Sequence, residues 1–431
     1  MARVLIRGGR LLDPAAGRDE AADLLLQDGR VAAVGRGMEA QGAEQVDASG
    51  CWVMPGFVDL HAHLREPGQE YKEDIASGGR AAVAGGFTSV ACMANTAPVN
   101  DDPAVTDYIL DRARQDSPAR IYPIAAATKG LRGEVMSEMS ALVDAGAVAF
   151  SDDGKTIMDS GVQRRVLEYS RLVERPVMVH AEDCGLVRGG VVNEGAVSTR
   201  LGLPGNPAVA EVVHVARDLM LAELTGAHLH VAHVSTAGAV ELLREARARG
   251  VHVTAEVTPH HLALSDEAAL GYDANTKMAP PLRSAADVTA CQQGLADGVL
   301  DAIATDHAPH AVHEKEVEFT AAPPGVIGFE TALAVVLELV RAGRLTPLQL
   351  AAALSSNPAR ILQLEAGRLA RGDPGDVTLV DPERRWRYDP AKGHSKSRNS
   401  PWAGREFTGR VVVTLVAGEL VFHADRGVLH P

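Results

Sequence analysis

Cysteine is scarce in this chain of 431 residues. The four present, Cys51, Cys92, Cys184 and Cys291, stand far apart with no paired spacing. That excludes a disulfide framework and a thiolate zinc site, and predicts buried, reduced thiols. Long apolar runs are also missing: none reaches the roughly 18 residues that a membrane helix needs. Basic charge is in deficit, with 42 Lys+Arg against 56 Asp+Glu and a net charge of −14. This argues against nucleic-acid and anionic-membrane partners. An anionic substrate would need local basic residues to overcome the repulsive field. The opening MARVLIRGGRLLDP is charged too soon for a signal peptide, so a cytoplasmic location is expected. No low-complexity segment is present. Apolar (46%) and charged (23%) fractions sit at globular averages, which excludes a disordered or fibrous chain.

The length favours a large domain plus a smaller one. Both ends read as β. Val4–Leu12 and Asp23–Val34 are short apolar runs broken by Gly8-Gly9, Asp13-Pro14, Asp28-Gly29 and Gly35. Asp376–Val380 and Arg410–Phe422 read similarly, with Ala417-Gly418 as a turn and Gly367–Asp376 as a linker. Between the ends, strand-like runs alternate with helical stretches. The runs are Phe87–Met93, Ile121–Ala126, Ala147–Ser151, Val177–His180, Leu229–His233, Val251–Val257 and Asp301–Thr305. Their near-continuous apolarity predicts a parallel sheet covered on both faces. Asn206-Pro207 reads as the cap and first residue of a helix running to about Thr225. The fold class expected is α/β: a (β/α)8 TIM-like barrel over residues 55–365, with a small composite β-sandwich from residues 1–54 and 366–431. A doubly wound sheet is the alternative, but no Gly-rich dinucleotide loop follows the first strand.

The strongest chemical signal is Asp59-Leu60-His61-Ala62-His63-Leu64-Arg65, following the apolar run Trp52–Val58. Residues two apart in a strand point the same way, so His61 and His63 could grip one ion. Similar strand ends recur: His180, His233, Asp306, and the pair Asp152 and Asp153. All lie at the carboxyl ends of predicted strands, the face where barrel active sites are built. Four imidazoles and two carboxylates suit zinc and exceed one tetrahedral site. They fit two ions about 3.5–4 Å apart that lower the pKa of a bridging water. A carboxylate beside that hydroxide, Asp306, could move its proton to a leaving nitrogen. The chemistry expected is hydrolysis, or reverse condensation, of an amide-like bond.

These segments resemble those of a known family. The first motif extended to Glu66-Pro67, and Ala304-Thr305-Asp306-His307-Ala308-Pro309-His310 with Lys315 beyond it, look like the two signature segments of dihydroorotases in the amidohydrolase superfamily. Further matches include Asn95-Thr96, Ser151-Asp152-Asp153-Gly154, Val179-His180-Ala181-Glu182, Thr258-Pro259-His260-His261 and Pro280-Pro281-Leu282-Arg283. The likeness is to the bacterial class I enzymes. It implies reversible cyclisation of N-carbamoyl-L-aspartate to dihydroorotate and water in pyrimidine biosynthesis. It implies that His61 and His63 hold the first zinc with Asp306, that Asp152 bridges, and that His180 and His233 hold the second. One or two Zn2+ per subunit are expected, two favoured. It also implies substrate contacts from His63, Arg65, Asn95 and His310, with Pro324 and Gly325 on the loop that closes over the ring. A homodimer and an aspartate transcarbamoylase partner are further implications.

The residues agree. A guanidinium is the best bidentate partner for a substrate carboxylate, and Arg65 follows the metal pair directly. Two departures stand out. Many relatives have Asn where this chain has Ala279, and many amidohydrolases bridge their metals with a carboxylated lysine where the class I pattern puts Asp152. Asp153 could exchange roles with Asp152, because adjacent loop side chains are not separated by strand alternation. Lys129 and Lys155 read as ordinary surface or loop lysines. His228 and His230, at odd spacings from His233, should pack against the helical layer. His260, His261 and Asp59 are candidate hydrogen-bond partners of ligands, and His307 could orient Asp306. His214, His252, His313, His394, His423 and His430 have no site context. Cys184 lies near His180, but the donor set is full without it. The alternatives are a hydantoinase or allantoinase, which would lack a reason for Arg65, and a non-catalytic scaffold, which should have lost its donors.

Overall fold

A computed structural model describes residues 3–429; His430 lies outside them. Two sheets organise the chain. The first holds strands from both termini: β1 (Arg3–Asp13), β2 (Arg18–Gln27), β3 (Arg30–Gly35), β4 (Glu44–Asp47) and β5 (Trp52–Pro55). The second begins at β6 (Phe57–Ala62) and continues through β7 (Phe87–Cys92), β8 (Arg120–Ala125), β9 (Ala149–Ser151) and β10 (Val177–Val179). A small pair, β11 (Val192–Asn193) and β12 (Gly205–Asn206), intervenes before β13 (Leu229–Val231), β14 (Val253–Val257) and β15 (Ala302–Ile303). The chain then returns to the first sheet with β16 (Val377–Arg387), β17 (Glu406–Val416), β18 (Glu419–His423) and β19 (Gly427–Val428).

The second sheet is parallel and runs β15-β14-β13-β10-β9-β8-β7-β6. It closes on itself where Ala62 bridges His307 in parallel and His63 N donates to His307 O at 2.8 Å. The result is an eight-stranded barrel with helices outside, as the sequence predicts. Helix starts follow capping chemistry: Asp74, Asp102, Asp159, Thr236, Ser284 and Thr346 each accept a hydrogen bond from the first turn.

The first sheet joins the two ends. β16 pairs antiparallel with β5 and β17, and β5 pairs parallel with β1. Asp28-Gly29 and Ala417-Gly418 turn two of its hairpins with positive φ at both positions, the conformation tight hairpins require. Residues 367–376 are no free linker: Gly375 N donates to Gly29 O at 2.8 Å, and Pro374 bridges Arg30.

Two local expectations are corrected. The helix ending at Thr225 begins at Val209 with Ala208 at its cap, not at Asn206. Asn206 lies in β12, and its side-chain amide is taken by Glu182 at 2.6 Å. Of the thiols, only Cys92 and Cys291 are buried; Cys51 is half-buried and Cys184 exposed.

Candidate metal centre and substrate cleft

The carboxyl ends of the barrel strands gather most of the predicted donors. β6 delivers His61 and His63 together, their ring centroids 5.3 Å apart. His180 follows β10 and His233 follows β13, with His180 Nδ1 2.9 Å from His233 Nε2. Asp306, after β15, lies 3.1 Å from His63 Nε2 and 3.6 Å from His61 Nε2.

The carboxylate at the centre of this cluster is Asp153. Its Oδ1 lies 3.4 Å from His61 Nε2, 3.5 Å from His233 Nε2 and 3.6 Å from His180 Nδ1, and its Oδ2 is 3.5 Å from His63 Nε2. The bridge expected at Asp152 is therefore misplaced by one residue. Asp152 turns to the other side, where it accepts hydrogen bonds from Thr128 N at 2.9 Å and from the Thr128 hydroxyl. Beyond the end of β9, alternation no longer decides which neighbour faces inward.

Several site residues leave regular strand geometry. Arg65, His233 and Asp306 adopt left-handed backbone, with φ of 64°, 35° and 46°. For residues with a Cβ this costs of order 1–3 kcal/mol each and concentrates at functional sites. Arg65 thus reaches the cleft by a turn after β6 rather than by strand alternation with His63. The same break at His233 upsets the parity argument for His230. His230 Nε2 meets Glu256 Oε2 at 3.1 Å in the barrel interior, while Leu229 and Val231 join the core under the helices. His228 shares its face, meeting Thr254 Oγ1 at 2.8 Å.

Partners orient the imidazoles from behind. Glu256 receives His61 Nδ1 at 2.8 Å, and Asn95 Oδ1 receives His63 Nδ1 at 3.0 Å. His180 Nε2 faces Glu182 Oε2 at 3.6 Å. Such contacts fix which ring nitrogen is free to ligate. Sequence reasoning misses Glu256, although a carboxylate inside an apolar strand is the signal that could have found it. Asp59 touches no ligand imidazole ring. It accepts from His61 N at 3.2 Å and Thr305 N at 3.0 Å, tying β6 to the Asp306 segment. His261 bonds Thr258 and Pro280 O, away from the donors. His307 is anchored by Glu73 Oε2 at 3.2 Å and by Gly328 N at 3.1 Å, which fixes the backbone next to Asp306.

The electrostatics are those of a largely buried charged cage at the wall of a cleft. Burial alone would favour neutral forms, but Asp153 and Asp306 outweigh it and hold the His61 imidazole well above its usual range. Likewise, burial opposes ionisation of Asp153 and Asp306, yet the surrounding imidazoles keep both carboxyls well below the carboxylate range. His180 is pushed up to about 10, because Asp153 and Glu182 override its desolvation. Glu256, similarly buried, is held at about 2 by His230 and His61.

The cluster fits a divalent cation. His61 Nε2 and Asp153 Oδ1 are buried without a hydrogen-bond partner. One donor atom each from His61, Asp153 and His233 lie within 4.8 Å of one another, as do those of His61, His63 and Asp306. Two overlapping triads of nitrogen and oxygen donors match the ligand chemistry of zinc-type ions. Imidazoles must be neutral to ligate, so cation binding would displace any proton they carry.

Beside the donors lies an open cleft lined by His63, Arg65, Asn95, Asp306, His310 and Gly325, among others. Pro324 and Ala279 also face it. Arg65 is buried and donates from Nε to Pro309 O at 3.1 Å, and its Nη2 lies 3.5 Å from His310 Nε2. Gly325 takes φ of 131°, and a Cβ there would come within 2.8 Å of Ala308 Cβ, so glycine is required at this wall. Asn399, unremarked in the sequence, ties the wall together. Its Nδ2 donates to Ala308 O at 2.9 Å and Gly325 O at 3.1 Å, and its Oδ1 accepts from His310 N at 3.1 Å. Lys315 Nζ adds a donor to Pro323 O at 2.9 Å. Lys129 and Lys155 do not line the cleft.

Comparison with known proteins identifies the family of the chain. Residues 50–239 match the Dihydro-orotase-like family. The chain is 55% identical over 426 residues to the dihydroorotase of Anaeromyxobacter dehalogenans, covering 98% of each. It is 53% identical to that of Syntrophotalea carbinolica, covering 97% of this chain and 99% of the relative. Among solved structures, the L-hydantoinase (dihydropyrimidinase) of Arthrobacter aurescens superposes with a TM-score of 0.90 at 25% identity, covering 100% of this chain and 98% of that one. D-hydantoinase of Bacillus sp. AR9 gives 0.87 at 26% identity, covering 99% and 96%. With more than half its residues shared over nearly the whole length of such relatives, the chain belongs to the dihydroorotase family of the amidohydrolase superfamily.

Proposed function

We propose that this chain closes N-carbamoyl-L-aspartate reversibly to dihydroorotate and water, in pyrimidine biosynthesis, at the cleft described above. The observation that carries the substrate choice is Arg65, a buried guanidinium facing the same cleft as Asp306 and the imidazole cage. A dianionic substrate approaching a chain of net charge −14 needs such a fixed cation.

His61, His63 and Asp306 would hold one zinc ion, His180 and His233 a second, with Asp153 between them. When bound, the metal centre supplies a water of lowered pKa and polarises the substrate carbonyl. The chain's own residues do the rest. Arg65, Asn95 and His310 bind the substrate carboxylate; Asn95 does so while holding the His63 tautomer. Pro324 and Gly325 cover the ring. The Asp306 carboxylate, ionised within the cage, takes the proton of the attacking water in ring opening and returns it to the departing nitrogen. In cyclisation the transfers reverse. Ala279 provides no side-chain polar contact, which leaves substrate binding to Arg65, Asn95 and His310 on that wall.

Assay of purified protein with N-carbamoyl-L-aspartate, hydantoin and allantoin tests this reading. Turnover of carbamoyl-aspartate is expected; turnover of hydantoin alone would overturn it.

No helix among the described residues is long and apolar enough to cross a membrane.

A further inference from the structure

β16 and β17 belong to the sheet of the two chain ends, yet the chain between them leaves that sheet. Residues 388–405 run out to the barrel mouth and back. The excursion is closed at its base, where Tyr388 N donates to Arg405 O at 2.9 Å and Gly404 N to Tyr388 O at 2.8 Å. Tyr388 and Trp402 are buried against Ala334, Val335 and Phe407. An excursion of this length is uncommon in a compact fold and is usually functional.

Its outer part is fastened to the barrel at two places. Residues 395–397 anchor it to the chain after β6. There the Ser395 hydroxyl and Lys396 N, the latter at 3.1 Å, both donate to the Glu73 carboxylate. Ser397 Oγ donates to Lys72 O at 2.7 Å. Two residues further on, Asn399 is inserted between the two stretches that wall the cleft, residues 308–310 and 324–327.

The Asn399 amide is fully used there. Nδ2 donates to Ala308 O and to Gly325 O, Oδ1 accepts from His310 N, and the backbone O accepts from Ile327 N at 2.9 Å. Two carbonyls and one N–H leave the amide a single satisfied orientation. An aspartate of the same shape would set an acceptor against both carbonyls. Lys315 Nζ shares Gly325 O at 3.2 Å, so what Asn399 adds is the joining of the two stretches. One planar group holds the backbone of His310 on one side and that of Gly325 on the other.

Asn399 is buried and is not among the residues lining the cleft, so it would act through His310 and Gly325 and not on the substrate itself. A wall ordered before substrate arrives spares binding the cost of ordering it. Contacts from such a wall hold ground state and transition state alike. Their loss therefore raises KM and leaves kcat nearly unchanged.

We propose that Asn399 is a positioning residue for substrate: it presets the wall that carries His310 and Gly325, so the sheet of the chain ends contributes to substrate affinity through this one side chain. The inference rests on the reading of His310 and Gly325 as substrate contacts. Asn399→Ala should raise KM for N-carbamoyl-L-aspartate by about 10-fold or more, with kcat within about threefold of wild type and zinc content unchanged. Asn399→Asp should raise KM at least as much. Ser397→Ala loosens the same excursion at Lys72 and should keep the wild-type KM. A second measurement needs no variant. In the wild-type chain without substrate, hydrogen exchange should find the His310 and Ile327 amides as protected as those of β7. Rapid exchange there, slowed only by added N-carbamoyl-L-aspartate, would mean that substrate orders the wall, and overturns the inference. So does a wild-type KM in folded Asn399→Ala, or an equal rise of KM in Ser397→Ala. Each of these results leaves the functional reading standing; a wild-type chain that does not turn over N-carbamoyl-L-aspartate overturns both.

Discussion

The sheet formed by the two chain ends and the mouth of the barrel bury similar kinds of backbone with opposite side chains. In the sheet, Val4, Ile6, Leu11, Leu24, Val53, Leu379, Val413 and Leu415 pack together. At the mouth, His61, His63, Asp153, His180, His233 and Glu256 are buried just as thoroughly, and three site residues hold left-handed backbone. Aliphatic burial returns free energy to the fold; buried charge and strain withdraw it. The terminal sheet and the helical layer therefore stabilise a mouth that is chemically poised.

Substitutions should separate the two regions. The largest effect is expected within one pair of neighbours. Asp153→Asn should strip the bound metal and, losing several kcal/mol of charge stabilisation, lower turnover by about 10³-fold or more. Asp152→Asn should keep metal and most activity, with about 1–3 kcal/mol of stability lost at the Thr128 contact. Metal analysis alongside the cyclisation assay distinguishes them; equal losses would erase the distinction drawn between Asp152 and Asp153. Next, Asp306→Asn should retain most metal yet slow turnover by roughly 10²-fold, the usual worth of a positioned proton-transfer group. A near-normal rate would remove Asp306 from proton transfer. Leu379→Ala, in the terminal sheet, should cost about 2–5 kcal/mol in denaturant unfolding while metal content and kcat stay at wild-type values.

The smallest effect concerns pH. His228 lies at the far end of β13 from His233, and burial, reinforced by His252 and His230, pushes its imidazole down to about 3. The unfolded chain binds that proton near 6.5 while the folded chain does not, so stability should fall as pH drops from 6.5 towards 3. His228→Gln should flatten that slope by up to about 1 kcal/mol per pH unit. An unchanged slope in urea titrations would mean that His228 is not held neutral.

Much of this arrangement is legible in the sequence because the barrel converts strand ends into neighbours. His61 and His63, His180, His233 and Asp306 end apolar runs, and closure of the barrel brings these four distant segments to one face. What escapes depends on events after strand order stops. The choice between Asp152 and Asp153 turns on which one Thr128 captures. The position of Arg65 turns on a left-handed residue that no alternation rule anticipates. Parity misplaces His230 outward for the same reason, since His233 breaks the alternation of its strand. Asn399 is invisible because its contacts lie in segments far from it in sequence, and only the completed fold brings the 388–405 excursion between β16 and β17 over the cleft.

If the imidazole–carboxylate cage is a metal centre, cyclisation depends on the metal it holds. Metal analysis of the purified chain, coupled to the carbamoyl-aspartate assay before and after chelation, tests it directly. One or two zinc ions per chain, with turnover lost on chelation and restored by zinc, is the predicted result; full turnover by a chain that holds no divalent metal would contradict it.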